Sequence, residues 1–532
     1  MFAAQRIPYQ LTGAFNKIVL DYLKGADSLS SFYKSQPSLH GIKQSISLKK
    51  EQALDRKRLV SALLEQYKAV EPIEKVDQQI ALLSKDLTFT ICTAHQPNLF
   101  TGPLYFVYKI LHVIKLANDL KQQLPQYDFV PVYYMGSEDA DLAELNHIYL
   151  DDKRYEWNTS QTGAVGRMQV DKSLLTLIDE LEGQISVYPH GKEWVNILRE
   201  CFKSGLTIQQ ATFQLVHQLF SNFGLIVLIA DHATLKAAMH KVFEDDLFQH
   251  TPSQIVAKTG ARLREQYNEQ AHARDINLFY LKGNIRERIE KKGEDFIVCN
   301  SDIVFTEASL REELQQYPER FSPNVILRGL YQETILPNIA FIGGGGEIAY
   351  WLQLKELFDN YKVPFPVLVL RNSFLILEKN WQERINKLGL SIEEIFQSSE
   401  TILNSLVKQH ASHDLTLNGK LESVSALYDS ILEQAQRIDP TLTQHVAAVK
   451  TKALQRLNEV EKKMLRAEKR KFIDQQRQIE AIKNKLFPKN GLQERVDNIG
   501  YYYAKWGSDL VNALYEHSLG LEQSFTVLKA ED

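Results

Sequence analysis

The residues best suited to chemistry fall in four short segments. The first is His95-Gln96-Pro97-Asn98-Leu99-Phe100-Thr101-Gly102-Pro103. His95 can donate a proton or a hydrogen bond, Gln96, Asn98 and Thr101 are neutral binders, and Lys109 beyond them can reach a carboxylate. The second runs from Gly136 to His147 and carries Glu138, Asp139, Asp141, Glu144 and Asn146. Carboxylates and a histidine this close suit either Mg²⁺ or the orientation of an amine. The third is Ile342-Gly343-Gly344-Gly345-Gly346-Glu347, where consecutive glycines let backbone N–H groups approach a ligand that any Cβ would block. The fourth, Phe487 to Arg495, reads alone as a turn followed by a helix. Each has a plainer reading: a capped turn, an acidic helix start favoured by the helix dipole, and a flexible glycine turn.

These segments need a scaffold. Thr88–Ala94 is short, β-branched and apolar, which predicts a buried strand. From Pro103 to Asn118 the pattern is helical, with Leu104, Val107, Leu111 and Ile114 on one face. Phe129–Met135 is again strand-like. Strand, loop, helix and strand make a βαβ unit, hence a parallel sheet, and ligands of such sheets bind at the carboxyl ends of the strands. Similar runs recur at Leu225–Ala230, Asn277–Leu281, Phe296–Val298, Ile339–Ile342 and Val367–Leu370. The expected organisation is a mainly helical segment over 1–87, then one α/β domain over 88–374 with insertions near 150–205 and 275–325. A helical domain over 375–490 and a C-terminal helical segment over 491–532 complete it.

Beyond Leu375 no strand-like run is evident. One apolar seam runs through Leu421, Val424, Tyr428, Ile431, Ala435 and Ile438. A second, after Asp439-Pro440, runs through Val446, Val449, Ala453, Leu457, Val460, Met464 and Ala467, in a helix expected to continue to about Leu486. Two seams joined by a short proline turn predict an antiparallel helical hairpin. The sign-alternating run Glu459–Lys471 reads as its solvated face.

Composition narrows the function classes. The chain has 532 residues, with 62 Lys+Arg against 66 Asp+Glu and a formal net charge of −4. No global cationic field exists to attract nucleic acid or an anionic membrane, so a basic site must be local. Cys92, Cys201 and Cys299 are scattered, as expected of reduced thiols, and Cys92 inside an apolar run reads as a core thiol. No signal peptide is recognisable, and the longest apolar runs are too short to span a bilayer. A soluble, cytoplasmic protein is expected.

Together the segments resemble the BshC family, the cysteine-adding ligases of bacillithiol biosynthesis. The resemblance rests on TAHQPNLFTGPLYFVYKI (93–110), PVYYMGSEDADLAELNHIY (131–149), IAFIGGGGEIAYWLQL (339–354) and FPKNGLQER (487–495). It implies a Rossmann-like parallel-sheet core with connecting-peptide insertions and an α-helical antiparallel coiled-coil domain that makes a homodimer. The implied reaction joins the carboxyl of cysteine to the amine of glucosaminyl-malate, with the carboxyl activated as an acyl-adenylate or acyl-phosphate. The resemblance puts His95, Glu138, Asp139 and Asp141 in catalytic roles, a carboxylate such as Asp141 or Glu138 taking the amine's proton. Gln96, Asn98, Thr101, Gly102 and Asn146 would bind substrate, with Gly343, Gly344, Gly345, Gly346 and Glu347 closing the pocket. Some family members carry glutamine at the position of His95, and Gly345 stands where the family pattern has proline. An adenine nucleotide (ATP or ADP) is implied beside Arg371, Asn372, Ser373, Asn490, Gln493 and Arg495, with Mg²⁺ as a companion and no structural metal. Two other classes remain open on the residues alone: a metal-dependent hydrolase built on Glu138, Asp141, Glu144 and His147, and a non-catalytic coiled-coil scaffold.

Overall fold

Five aliphatic and β-branched runs form a parallel sheet in the computed structural model, which describes residues 2–410 and 416–531. They are β1 (Thr88–His95), β2 (Asp128–Met135), β3 (Ile226–Ile229), β4 (Asn338–Gly343) and β5 (Val367–Leu370), in the order β5-β4-β1-β2-β3. Their side chains do not alternate in polarity, because both faces are covered. Cys92 is buried here, and burial pushes its thiol well up, as befits a core residue. Chain order reverses between the adjacent strands β1 and β4. A crevice opens beyond the carboxyl ends of strands at such a switch point.

The helix after β1, α1 (Tyr105–Gln123), is buried on nearly every side. Leu104, Val107, Leu111 and Ile114 are all inside, as their spacing predicts. Two polar residues are buried with them, Lys109 and His112. The His112 ring bridges Gly520 O at 2.7 Å and Asn372 N at 3.1 Å, tying the sheet to the C-terminal segment. Accepting from Asn372 N requires an unprotonated Nδ1, so Nε2–H donates to Gly520 O.

Burial lowers the His112 pKa from 6.5 to about 4. The unfolded chain therefore binds more protons than the folded one between these values. Stability from this site is full above pH 6.5 and is lost as pH falls toward 4, amounting to about 3 kcal/mol. Urea unfolding of the wild type should weaken over that interval, and His112→Gln, which can keep both hydrogen bonds, should flatten the profile.

Two expected strands belong elsewhere. Leu278–Lys282 and Asp295–Val298 lie in a second, antiparallel sheet with Ile285–Lys292, Val304–Phe305 and Phe321–Pro323. Two-residue turns at Gly283 (φ 59°) and Gly293 (φ 65°) fold consecutive strands back on one another, which excludes parallel pairing. The chain ends also depart from an all-helical reading. Phe2–Ile7 pairs antiparallel with Phe525–Ala530, in a three-stranded sheet with Ser373–Leu377. A strand completed by a partner some 520 residues away leaves no local signature. The segment from Gly491 onward accordingly belongs to the same compact unit as the parallel sheet.

A second unit holds Leu377–Asn490 with Leu11–Gly13. Its helices α4 (Asn418–Ile438) and α5 (Leu442–Lys469) pack together, with a Lys450–Asp429 pair at 2.6 Å. The second helix does not run unbroken to Leu486: a 3₁₀ turn at Arg470–Phe472 separates it from α6 (Ile473–Leu486). Among the described residues, no helix is long and apolar enough to cross a membrane.

Candidate active site

A cavity of about 480 Å³ opens where β1, β2 and β4 end. His95 and Gln96 come from the end of β1, and Gly136 and Asp139 from the turn after β2. Gly344, Gly345, Gly346 and Glu347 form its opposite wall, at the start of α3 (Gly345–Trp351). The floor is Lys109 of α1, whose ammonium donates to Ala94 O at 3.0 Å and pairs with Glu347. The same Glu347 carboxylate accepts Gly344 N–H at 2.8 Å, capping α3.

Electrostatics assign protonation states. Burial, followed by the charges of Lys109, Arg371 and Arg328, holds the His95 imidazole well below its usual range, so it is neutral at pH 7. Its Nε2 is enclosed and has no hydrogen-bond partner among the described residues. Burial alone would raise the Asp139 carboxyl, but Arg328 and Arg286 outweigh it and leave Asp139 below the usual carboxylate range. Gln96 Nε2 donates to Asp139 at 3.1 Å and Ala140 N–H at 3.0 Å, which fixes its orientation.

The structure separates the other expected residues from this group. Glu138 turns into the protein, pairing with the fully buried Lys236. Lys236 also reaches Asp231 at 3.3 Å and Glu319 O at 2.9 Å, while Arg167 grips Asp231 through two bonds of 2.6 and 2.7 Å. Burial raises the Glu138 carboxyl, but its position in this cluster removes it from the amine-facing role. Asp141 is exposed and caps the turn Leu142–Leu145 by accepting from Glu144 N–H at 3.2 Å. Asn146 is spent on Trp157 O and Glu156, each at 3.2 Å. The cluster is thus dispersed among separate partners. Among the described residues, no group of three His, Cys, Asp or Glu is placed to hold a metal, and a hydrolase built on this segment has no centre.

Asn98, Thr101 and Gly102 also leave the cavity wall. Phe100, Thr101 and Gly102 take positive φ values of 46°, 75° and 63°, which turns the loop into the core. Asn498 clamps it there, its amide donating to Phe100 O at 2.8 Å and Gly102 O at 2.6 Å. At φ 63°, ψ −147°, Gly102 occupies backbone space reserved to glycine, and an added Cβ would lie 2.6 Å from Asn98 Cβ. Gly102→Ala should therefore cost about 3 kcal/mol or more in chemical unfolding.

The expected nucleotide set divides likewise. Asn372 bonds the backbone of Leu519, Ser373 bonds Glu494, and Gln493 donates to and accepts from the backbone of Ile376 at 3.1 and 2.9 Å. These three have no polar atoms to spare for a ligand. Asn490 belongs to the second unit. Arg371 and Arg495 do face the cavity, with Gly344 and Gly345 nearby. Gly343 ends β4, where a Cβ would meet the Phe341 ring at 2.8 Å, so its role is packing.

Sequence reasoning missed Arg286, from the antiparallel sheet, and Arg328, from α2 (Val325–Ile335). The available signal was a lone arginine inside the apolar stretch Val325–Tyr331. Phe279 and Asn324 join them on the wall and carried no signal at all.

Known proteins match this arrangement along the whole chain. Residues 2–372 match the family model for the N-terminal Rossmann-like domain of the bacillithiol biosynthesis protein BshC, and residues 374–530 match its C-terminal coiled-coil domain. A protein of Flavobacterium psychrophilum named "Putative cysteine ligase BshC" is 36% identical over 526 residues, covering 98% of this chain and 99% of that one. Proteins of the same name from Flavobacterium johnsoniae and Cytophaga hutchinsonii are 36% and 37% identical, covering 98% and 97% of this chain and 99% and 97% of their own. With both domain models matched in order and the switch-point cavity in place, this chain belongs to the BshC family of bacillithiol biosynthesis.

Proposed function

We propose that this chain is a ligase that joins the carboxyl group of cysteine to the amino group of glucosaminyl-malate. The observation that carries this reading is the cavity itself, a strand-end site with a neutral histidine, two held carboxylates (Asp139 and Glu347) and an excess of cations. Such a site suits anionic substrates that must meet in a fixed geometry. The names of its relatives point the same way.

An attacking amine must be neutral and must lose a proton as the C–N bond forms. Neither Glu138, engaged with Lys236, nor Asp141, capping an exposed turn, is placed for that. His95 lines the cavity with a neutral imidazole whose enclosed Nε2 can hydrogen-bond the substrate. Burial and the neighbouring cations disfavour its protonation, so the amine's proton passes to solvent. Asp139, kept ionised by Arg328 and Arg286, orients the ammonium form of a substrate before reaction. Lys109 and Glu347 hold the glycine wall against the end of β1.

An adenine nucleotide, with Mg²⁺ as its counter-ion, would supply the activation that a carboxylate needs. Its charge fits the cavity better than Asn372 and Ser373, which are buried and already hydrogen-bonded within the protein. Arg495 at the exposed rim, which has no ion pair among the described residues, and Arg371 are the side chains suited to its phosphates. We extend the proposal to a homodimer through the helical unit, where Leu427 and Ile438 remain 59% and 74% exposed. Charge substitutions at these two positions should yield monomers by light scattering.

The test of the reaction is to incubate the pure chain with cysteine, glucosaminyl-malate and ATP. An amide product is expected, with ADP or AMP released only when both substrates are present. Absence of product and of substrate-dependent nucleotide turnover would overturn the ligase reading.

A further inference from the structure

Two cavity arginines are left unsatisfied by the protein. The Arg286 side chain is 6% exposed, and its Nε is enclosed without a hydrogen-bond partner among the described residues. Its guanidinium lies 3.9 Å from the centroid of the Phe279 ring, which sets its plane. Arg328, on α2, borders Gly136, where an added Cβ would sit 3.7 Å from Nη1. Among the described residues Asp139 is the carboxylate within 4 Å of each guanidinium, at 3.9 Å for Arg286 and 3.7 Å for Arg328, too far for a hydrogen bond, with Glu138 acting on both from farther off. Guanidiniums that donate to no described residue, one of them almost wholly enclosed, are costly unless a ligand accepts from them.

The charges around the cavity show where an anion is wanted. Lys109 is matched by Glu347 and Arg371 by Glu494. Within 4 Å Arg286 and Arg328 share the charge of Asp139, and Glu138 beyond it is held by Lys236, so positive charge is in excess between them. A carboxylate fits that vacancy in charge and in shape, since each guanidinium presents a planar fork of donors.

We propose that Arg286 and Arg328 are the receptor for a carboxylate of the amine-bearing substrate, and that they select an amino sugar carrying a dicarboxylate over a neutral one. This assignment rests on the ligase reading above. The pair lies on the inserted antiparallel sheet and on α2, apart from the glycine wall and the Arg495 rim. It therefore controls recognition of the amine substrate and leaves the binding of cysteine and nucleotide to other groups.

The test uses the full chain with Arg286→Met, Arg328→Met and Arg286→Lys, each checked for an unchanged thermal midpoint. KM is measured for glucosaminyl-malate, its dimethyl ester, cysteine and ATP. Each Met variant should raise KM for glucosaminyl-malate by about tenfold or more, the loss expected for a charge-assisted hydrogen bond. KM for the ester, cysteine and ATP should not move, and Arg286→Lys should fall between wild type and Arg286→Met. An unchanged KM for glucosaminyl-malate overturns the proposal. So does a rise confined to ATP, which would assign the pair to a phosphate. Calorimetry with L-malate alone gives a readout independent of turnover. Binding by the wild type that is lost in Arg286→Met supports the receptor even where no amide forms, in which case the ligase reading alone has failed. Equal binding by both overturns the receptor.

Discussion

Arg371→Met is expected to destabilise the chain by about 3–5 kcal/mol and to abolish amide formation. The Arg371 side chain is 4% exposed and that of Glu494 is fully buried, with Nη2 and Oε1 2.7 Å apart. Glu494 also accepts from Ser373 Oγ and Phe374 N–H, each at 3.3 Å, and Arg371 donates to Asn372 O at 3.1 Å. Removing the cation strands a carboxylate in a dry interior, whose desolvation is no longer offset. Adding Glu494→Gln removes that charge while keeping an acceptor for Phe374 N–H, so the double variant should recover most of the stability in urea unfolding. It should not recover activity, because the cavity still lacks a cation. A single variant as stable as the wild type would show that the Arg371–Glu494 pair contributes nothing to stability. Recovery of both properties by the double variant would make Arg371 purely structural.

Lys236→Met should also cost about 3–5 kcal/mol. It leaves Glu138 and Asp231 facing one another, with Arg167 satisfying only Asp231. The loss should be steepest where both carboxyls are ionised and should shrink as pH falls and Glu138, already raised by burial, takes up a proton. Comparing urea midpoints of Lys236→Met at neutral and mildly acidic pH checks this. Activity should suffer as well, since Glu138 is the neighbour of Asp139 and its anchoring holds that turn in place. Lys236→Met/Glu138→Gln should restore stability in part, and a double variant no better than the single would overturn the pairing.

What could be read before any coordinates follows a clear physical line. The strands β1, β2, β4 and β5, the helix α1 and the helical hairpin are each announced by contiguous residues. Apolar runs and 3.6-residue spacing are local properties, and burial on both faces of a parallel sheet leaves them unmistakable. The position of a site at the ends of β1, β2 and β4 follows from that topology. His95, Gln96, Asp139, Gly344, Gly345, Gly346 and Glu347 do line the cavity.

The residues placed wrongly are those whose fate depends on a distant partner. Glu138 and Asp139 are adjacent in sequence, yet one meets Lys236 inside the protein and the other meets Arg286 and Arg328 in the cavity. Asn98 and Thr101 read as binders until Asn498, some 400 residues later, pins their loop inward. Gln493 reads as a ligand contact until it is seen completing the hydrogen bonds of Ile376.

The sequence by itself determined the family, the main strands of the parallel sheet, the helical hairpin and the edge of the sheet where the cavity opens, because short-range patterning and chain topology suffice for these. Only the tertiary structure decided which side chains share that edge. An ion pair or a clamp depends on distances of a few ångströms between residues hundreds of positions apart, and no local pattern records them. That is why the cations of the cavity, arriving from an inserted sheet and a separate helix, came into view only when the chain was folded.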